Sequence, residues 1–313
     1  MTASPRVSVA VVNWNTRDLL LKCLASLRAE SSFLPLEIIV VDNGSSDGSP
    51  EAVRAQYPEV LLLTNPASVG FAAGTNQALR RATAPFWAFV APDAELKPRA
   101  LLTLVGELQA RPELMAVGPK LLNSDGSLQP SGRRFPAPGR FFLEDLLPGC
   151  LKRTAWWQRR VFGRLDFDRP ALVDEVSGAC LVARREAFER VGLLDEQFFI
   201  YYEEVDWFKR LAATGGRVGY VPSAEVFHHW GAGMAQMKGE GVLINFRSAF
   251  KYWRKHRGIR GEGLARAAVA AHAVGWSLGR LALTVVFRKP WRELPARLGL
   301  YAQVLALALG MKK

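Results

Sequence analysis

Leu36-Glu37-Ile38-Ile39-Val40-Val41-Asp42-Asn43-Gly44-Ser45-Ser46-Asp47-Gly48-Ser49 decides how the chain is read. An apolar run delivers an aspartate and then breaks at once into asparagine, glycine and serine, the pattern of a buried strand with a loop at its C-terminal end. In open α/β sheets ligands bind beyond the carboxyl ends of the strands, so Asp42 is a candidate ligand contact. Working upstream, residues 8–13 read as the first strand. Leu19, Leu20, Cys23, Leu24 and Leu27, at helical spacing, make 18–28 a crossover helix. Downstream, Ser49-Pro50-Glu51 predicts a helix capped by the serine with proline in its first position. Strands over 60–63 and 86–90 alternate with helices over 71–81 and 98–107. This rhythm predicts an α/β fold with a mainly parallel, doubly wound sheet through about residue 120.

Beyond that point the pattern changes. Residues 123–173 are rich in Gly, Pro, Arg and aromatics and read as a long insertion over one rim of the sheet, with a helix at 141–147. A strand is expected over 176–183, helices over 186–191 and 204–214, and a short strand over 218–221.

The 313 residues suffice for a substantial core. Cys23, Cys150 and Cys180 are widely separated, with neither a zinc spacing nor a disulfide framework, so they read as core thiols in a reducing compartment. No signal-peptide apolar region follows Met1. Charge is unevenly placed. Residues 241–313 hold 14 Lys/Arg against only Glu262 and Glu293, so this tail carries the whole formal +12 of the chain. Because the tail is also rich in Leu, Ala and Val, an anionic membrane surface suits it better than nucleic acid, and nucleic acid is not expected as a partner.

Several common chemistries lack their signatures. The stretch from Asn65 to Asn76 carries Gly70 and Gly74 but is not the GxGxxG of a dinucleotide site. No GxxxxGK[ST] loop and no GxSxG elbow is present. What remains is a glycine-opened helix start, either a tight turn or a close approach of backbone to a nucleotide.

Three acidic clusters carry the chemistry. Asp42 closes the first. Pro92-Asp93-Ala94-Glu95 sets two carboxylates beyond a strand, where both can converge on a hard divalent ion, and His228 or His229 can add an imidazole that tilts the choice toward Mn²⁺ over Mg²⁺. Phe198-Phe199-Ile200-Tyr201-Tyr202-Glu203-Glu204-Val205-Asp206-Trp207 leads aromatics into a helix whose first turn is acidic. Acids are favourable there for structural reasons alone. The same composition also describes a sugar site, with an aromatic wall and a carboxylate that takes a hydroxyl proton.

In this order, Val11-Val12-Asn13-Trp14-Asn15, residues 41–49, 65–76, Ala91-Pro92-Asp93-Ala94-Glu95, Ser177-Gly178-Ala179-Cys180, residues 198–207 and His228-His229-Trp230-Gly231 closely resemble the family 2 glycosyltransferases of GT-A fold, above all their bacterial rhamnosyltransferase-like branch. The likeness runs from about residue 6 to 257. It implies a GT-A Rossmann-like sheet flanked by helices. The domain expected over 1–257 has a nucleotide-binding half at about 6–120 and an acceptor half at about 121–257. A helical, basic and apolar extension follows over 258–313.

The resemblance also implies roles. Asp42 would accept the N3–H of a pyrimidine, within a nucleotide-sugar site of Asn13, Asn15, Asp42, Asn65, Gly70, Asn76 and Asp93. Asp93, Glu95 and His228 would hold Mn²⁺ or Mg²⁺. Ser177, Gly178, Tyr202, Glu203 and Trp207 would form the acceptor and sugar pocket. Glu203-Glu204 falls where relatives have Glu-Asp, whose second member is the base, so Glu204 is the implied base and Asp206 the alternative. The chain departs from the pattern at Glu204, at Ala91 in place of asparagine, and at Glu95.

The implied reaction is a single inverting displacement from a dTDP- or UDP-linked donor. The expected sugar is rhamnose from dTDP-rhamnose, passed to a lipid-linked or polysaccharide acceptor in envelope assembly. A UDP-hexose transferase, and a nucleotide-sugar-binding or scaffold protein without turnover, are the alternatives. The expected place is the cytoplasmic face of the cell membrane, bound peripherally through 258–313, with a homodimer as a further partner.

Overall fold

The computed structural model describes residues 4–137, 165–229, 236–237, 239–286 and 294–311. The helix predicted at 141–147, and Cys150, lie outside them. The chain forms two compact units: Met1–Phe135 with Phe162–Phe199 and Glu203–Gln236, and Pro136–Val161 with Ile200–Tyr202 and Met237–Lys313.

In the first unit, strands β1 (Val7–Asn13), β2 (Leu36–Asp42), β3 (Leu61–Thr64) and β4 (Phe86–Val90) lie parallel in the order β3-β2-β1-β4. The sheet continues through β11 (Cys180–Arg184), β6 (Leu114–Leu122), β12 (Arg217–His228) and β5 (Ala94–Leu96). Here β11 runs antiparallel to both neighbours, while β12 is parallel to β6. Short strands β7 (Leu128–Gln129) and β9 (Ala171–Val173) add to β6 and β12, and β8 (Gly132–Arg133) pairs separately with β10 (Glu175–Val176).

Alternation within the strands builds a core on each side of this sheet. From β1, Val7, Val9 and Val11 face one side; they pack with Leu20, Cys23, Leu24 and Leu27 of α1 (Arg17–Glu30), Val53 of α2 (Ser49–Gln56) and Leu101, Leu104 and Leu108 of α4 (Ala100–Ala110). Ala10 and Val12 face the other. Their neighbours are Ala72 and Leu79 of α3 (Phe71–Leu79), Phe188 of α5 (Arg185–Val191) and Trp207, Phe208 and Leu211 of α6 (Glu203–Ala213). Both faces are covered, which is why these strands read as continuous apolar runs. Each fully buried leucine stabilises the fold by about 1.5–3 kcal/mol.

The expected α/β architecture, mostly parallel and flanked by helices, with a helical C-terminal extension, is what the chain adopts. Local differences have physical causes. The cap of α2 is Gly48 at φ 80 rather than Ser49, whose hydroxyl instead donates to Asp47 Oδ1 at 2.6 Å. The strand expected over 176–183 is broken by the Ser177-Gly178-Ala179 turn into β10 and β11. The strand expected over 218–221 extends to His228 across a register shift between Val221 and Glu225. Glu95, expected beyond the end of a strand, itself lies in β5 opposite Phe227. Cys23 and Cys180 are core thiols, and burial pushes Cys180 up to about 12.

The second unit is built on α7 (Glu240–Val286) and α8 (Leu294–Ala308), which pack together. Gly258, at φ 67, interrupts α7. Glu262 receives Arg254 at 3.1 Å and Arg266 at 2.8 Å, and Arg266 Nη1 also donates to Leu307 O at 2.8 Å. A cation at a helix C-terminus satisfies its open carbonyls and its dipole, so Arg266 fastens α8 to α7. No helix among the described residues is long and apolar enough to cross a membrane.

Candidate active site

The chain leaves β1 toward β2 on one side and returns with β4 on the other, which opens a crevice at the carboxyl ends of these strands. Asn13 and Asp42 stand in register there. Asp42 is 2% exposed; its Oδ1 accepts from Asn13 Nδ2 and its Oδ2 from Ser45 N, both at 2.9 Å. Asn15, held at φ 50, accepts from Ser46 N at 2.7 Å and donates its own N–H to Ser45 Oγ at 2.8 Å. Beside it an open cleft of about 390 Å³ is lined by Asn15, Thr16, Arg17, Asp18, Leu19, Asp47 and Gln236, against the first turn of α1.

Of the other proposed nucleotide contacts, Asn65 is tied in through Asn43, whose Oδ1 accepts from Asn65 Nδ2 at 2.9 Å. Asn76 is 1% exposed and clamps the segment before α6, donating to Leu194 O and Glu196 Oε1 and accepting from Leu194 N. Gly70, at φ 92, does permit a close backbone approach. What approaches is Phe199: a Cβ at residue 70 would lie 2.6 Å from its carbonyl oxygen.

Asp93 lies just beyond β4, and its Oδ1 is 3.3 Å from His228 Nε2 on β12. The other ring nitrogen, His228 Nδ1, is 2.6 Å from Gln129 Oε1. An amide oxygen only accepts, so Nδ1 carries the proton and a neutral ring turns its Nε2 lone pair toward Asp93. Two lone pairs facing each other need a second proton or a cation between them. An imidazole whose far N–H is held by an oxygen is also the usual orientation of a metal-bound histidine. Glu95 diverges from this pair and lies 3.6 Å from His229 Nε2. Among the described residues no group of three His, Cys, Asp or Glu side chains is placed to hold an ion; Asp93 and His228 approach each other, while Glu95 lies against His229 instead.

The third cluster opens α6. Glu203 is 5% exposed and Glu204 partly buried, and one carboxylate oxygen of each, Oε2, is buried without a hydrogen bond. Burial, then the Glu204 charge, raises Glu203 far above the usual carboxylate range. Burial raises Glu204 too, opposed by nearby backbone N–H groups and by the Arg133 guanidinium. Glu204 lies against the Ser177-Gly178 turn, where a Cβ on residue 178 would sit 3.6 Å from its carboxyl. That turn is held by Ser177 N donating to Ser131 O at 2.9 Å, next to the strand that carries Arg133, and by Ala91 N donating to Ala179 O at 2.8 Å. Glu204 is thereby connected to the end of β4, two residues from Asp93.

Two neighbours have other work. Asp206 is 0% exposed and pairs with Arg210 at 2.8 Å, and Arg210 Nη2 donates to Leu193 O, so this carboxylate braces α6. Trp207 is 1% exposed, stacked on Phe188 at 4.4 Å with its Nε1 donating to Gly192 O; its ring faces core, not a sugar. Tyr202 belongs to the second unit, where its ring packs 5.4 Å from Tyr252; it and Tyr201 sit at φ 69 and 70. Arg133 escaped the sequence reading. Its one signal was two consecutive arginines after a Ser-Gly in a segment taken for an insertion.

The glycosyl transferase family 2 profile matches residues 8–192, and the chain belongs to that family. Its activity class is therefore glycosyl transfer. Among relatives, the N-acetylglucosaminyl-diphospho-decaprenol L-rhamnosyltransferase of Mycobacterium tuberculosis is 35% identical over 71% of this chain and 75% of its own. Rhamnosyltransferase WbbL of Escherichia coli is 23% identical over 85% and 99%. The fold is shared with mannosyltransferase PcManGT of Pyrobaculum calidifontis, solved with GDP-Man and Mn²⁺, at TM-score 0.55 and 20% identity over 100% of this chain and 89% of that one.

Proposed function

We propose that the protein is an inverting glycosyltransferase that moves rhamnose from dTDP-rhamnose to a lipid-linked saccharide in envelope glycan assembly. The observation that carries the chemistry is Glu204, a carboxylate with a buried, unbonded oxygen beside a glycine turn that leads to the end of β4. Glu204 takes the proton of an acceptor hydroxyl as that oxygen attacks the anomeric carbon. Arg133, with nearby backbone N–H groups, opposes the rise that burial imposes on Glu204. Asn13 and Asn15 shape the nucleotide crevice, with Asp42 bonding the pyrimidine. Asp93 and His228 would hold Mn²⁺ or Mg²⁺, which would supply charge stabilisation for the departing diphosphate. Ser177, Gly178 and Glu203 border the acceptor side.

The rhamnose assignment draws on the 35% identical rhamnosyltransferase, which likewise supports a diphospho-lipid acceptor. Residues 1–257 form the catalytic part in this reading. Residues 258–313 are a peripheral membrane extension on the cytoplasmic side, motivated by their concentrated positive charge. Full-length protein is to be incubated with dTDP-rhamnose, UDP-glucose and GDP-mannose, each with a polyprenyl-diphosphate-linked acceptor and Mn²⁺ or Mg²⁺. Transfer from dTDP-rhamnose is expected. Transfer only from UDP-glucose would replace the donor, and donor binding without product under every condition would replace the enzyme by a binding protein.

A further inference from the structure

Beyond Gly258, one side of α7 is buried: Ala265, Ala268, Val269, His272 and Ala273 are each under 5% exposed. A second set of apolar residues is exposed. Leu264 (53%), Val274 (44%), Leu278 (63%) and Leu281 (44%) lie in open solvent with Ala267 and Ala271 between them. At 100° per residue these six positions fall within about 100° of arc, and they extend about 26 Å along the helix. At the same periodicity no charged residue of 264–281 falls within this arc. Arg266 donates to Leu307 O at the end of α8, while Ser277 bonds back to Ala273 O at 2.8 Å. The tail therefore does not divide into one polar and one apolar face; it has one apolar side for protein packing and another that no described residue covers.

We infer that the exposed stripe from Leu264 to Leu281 is a lipid-contact face that lays α7 flat on a membrane rich in anionic headgroups. The inference rests on the reading of residues 258–313 as a membrane extension and names the surface involved. Charge selects the occupant. The six positions are spaced three and four apart, as in a coiled-coil seam, so a second copy is the rival. A second copy would bring two strongly basic tails together, and the positions flanking the seam, Gly263, Ala270, Gly275 and Ser277, offer no acid to offset them. An anionic bilayer offers that compensation. Arg260 stands one turn before Leu264, and Arg288, Lys289 and Arg292 follow the helix in sequence, so the stripe is bracketed by cations. Insertion by about 5–10 Å buries the leucines while the buried side stays on protein.

The test is flotation of the full-length protein with phosphatidylcholine vesicles and with mixed phosphatidylglycerol–phosphatidylcholine vesicles. Flotation with the mixed vesicles is expected. The double variant Val274→Glu/Leu278→Glu should lower partitioning roughly tenfold or more. Ala302→Glu/Gln303→Glu, which adds the same charge to exposed positions on α8, should float nearly as well as the parent protein. Transfer to a short, water-soluble acceptor should be unchanged by Val274→Glu/Leu278→Glu, since neither position is in the catalytic unit. Equal flotation of the stripe variant and the parent, or none by the parent, would overturn the inference. So would a dimer seen by light scattering without vesicles that the stripe substitutions split. Stripe-dependent flotation together with absent sugar transfer would defeat the proposed reaction and leave this face supported.

Discussion

At the residue scale, what distinguishes the site's carboxylates is which of them keep an oxygen without a hydrogen bond. Glu204→Gln preserves size and removes proton acceptance. Turnover should fall by roughly 10²–10⁴ while donor affinity, read by calorimetry, changes little; near-normal turnover would remove Glu204 from the role of base. Arg133 acts on Glu204 through charge, so its prediction concerns pH. The base works ionised, burial raises it, and Arg133 opposes that rise. Replacing Arg133 by Met should move the acid limb of the kcat/KM profile to higher pH, and Arg133→Lys should return most of it. A lower rate with an unmoved profile would give Arg133 a merely structural part. Asp42→Asn tests nucleotide recognition more cleanly than alanine, because Asp42 also receives Asn13 and Ser45. Nucleoside diphosphate binding should weaken with or without metal, whereas Asp93→Asn should weaken only the metal-dependent part.

At the scale of the element, two contacts hold helices in place and neither touches substrate. Glu30, 1% exposed at the end of α1, accepts from the backbone N–H groups of Arg99 and Leu101 and so caps α4, which has no side-chain cap of its own. Glu30→Ala leaves buried donors unpaired and should cost about 1–3 kcal/mol in denaturant unfolding. Gly70 opens α3 at φ 92 with Phe199 O where a Cβ would be. Gly70→Ala should therefore destabilise the fold, by roughly 1–3 kcal/mol from backbone strain alone. An unchanged melting temperature would mean that the turn relaxes freely.

Across the whole molecule, the buried Glu203 ties stability to pH. Its folded form holds its proton well above the ordinary 4.5, so stability is greatest below that value and is lost as pH rises toward the raised one. Glu203→Gln should flatten this slope, gaining melting temperature over the parent as pH rises above the ordinary carboxylate range. A parallel offset at all pH values would assign the effect to packing. Much of the molecule was legible from sequence because its causes are local. Alternating Val7, Val9 and Val11 against Ala10 and Val12 specify a strand buried on both faces, and apolar runs ending in Asp42 and Asp93 specify carboxylates at strand ends. The aromatic-acidic stretch before α6 marked the third cluster, yet local pattern did not distinguish its members. Glu203, Glu204 and Asp206 look alike in sequence, and Trp207 reads as well for a sugar wall as for a core. Asp206 is spent on Arg210, Trp207 on Phe188, and Glu95 turns away from Asp93, because each outcome depends on what another element brings within a few ångströms. The sequence by itself determined the alternation of elements and the positions of the acids. The tertiary structure decided which acids are paired, which retain an unbonded oxygen, and which apolar face of the tail is covered, since burial and pairing are properties of neighbours far apart in the chain.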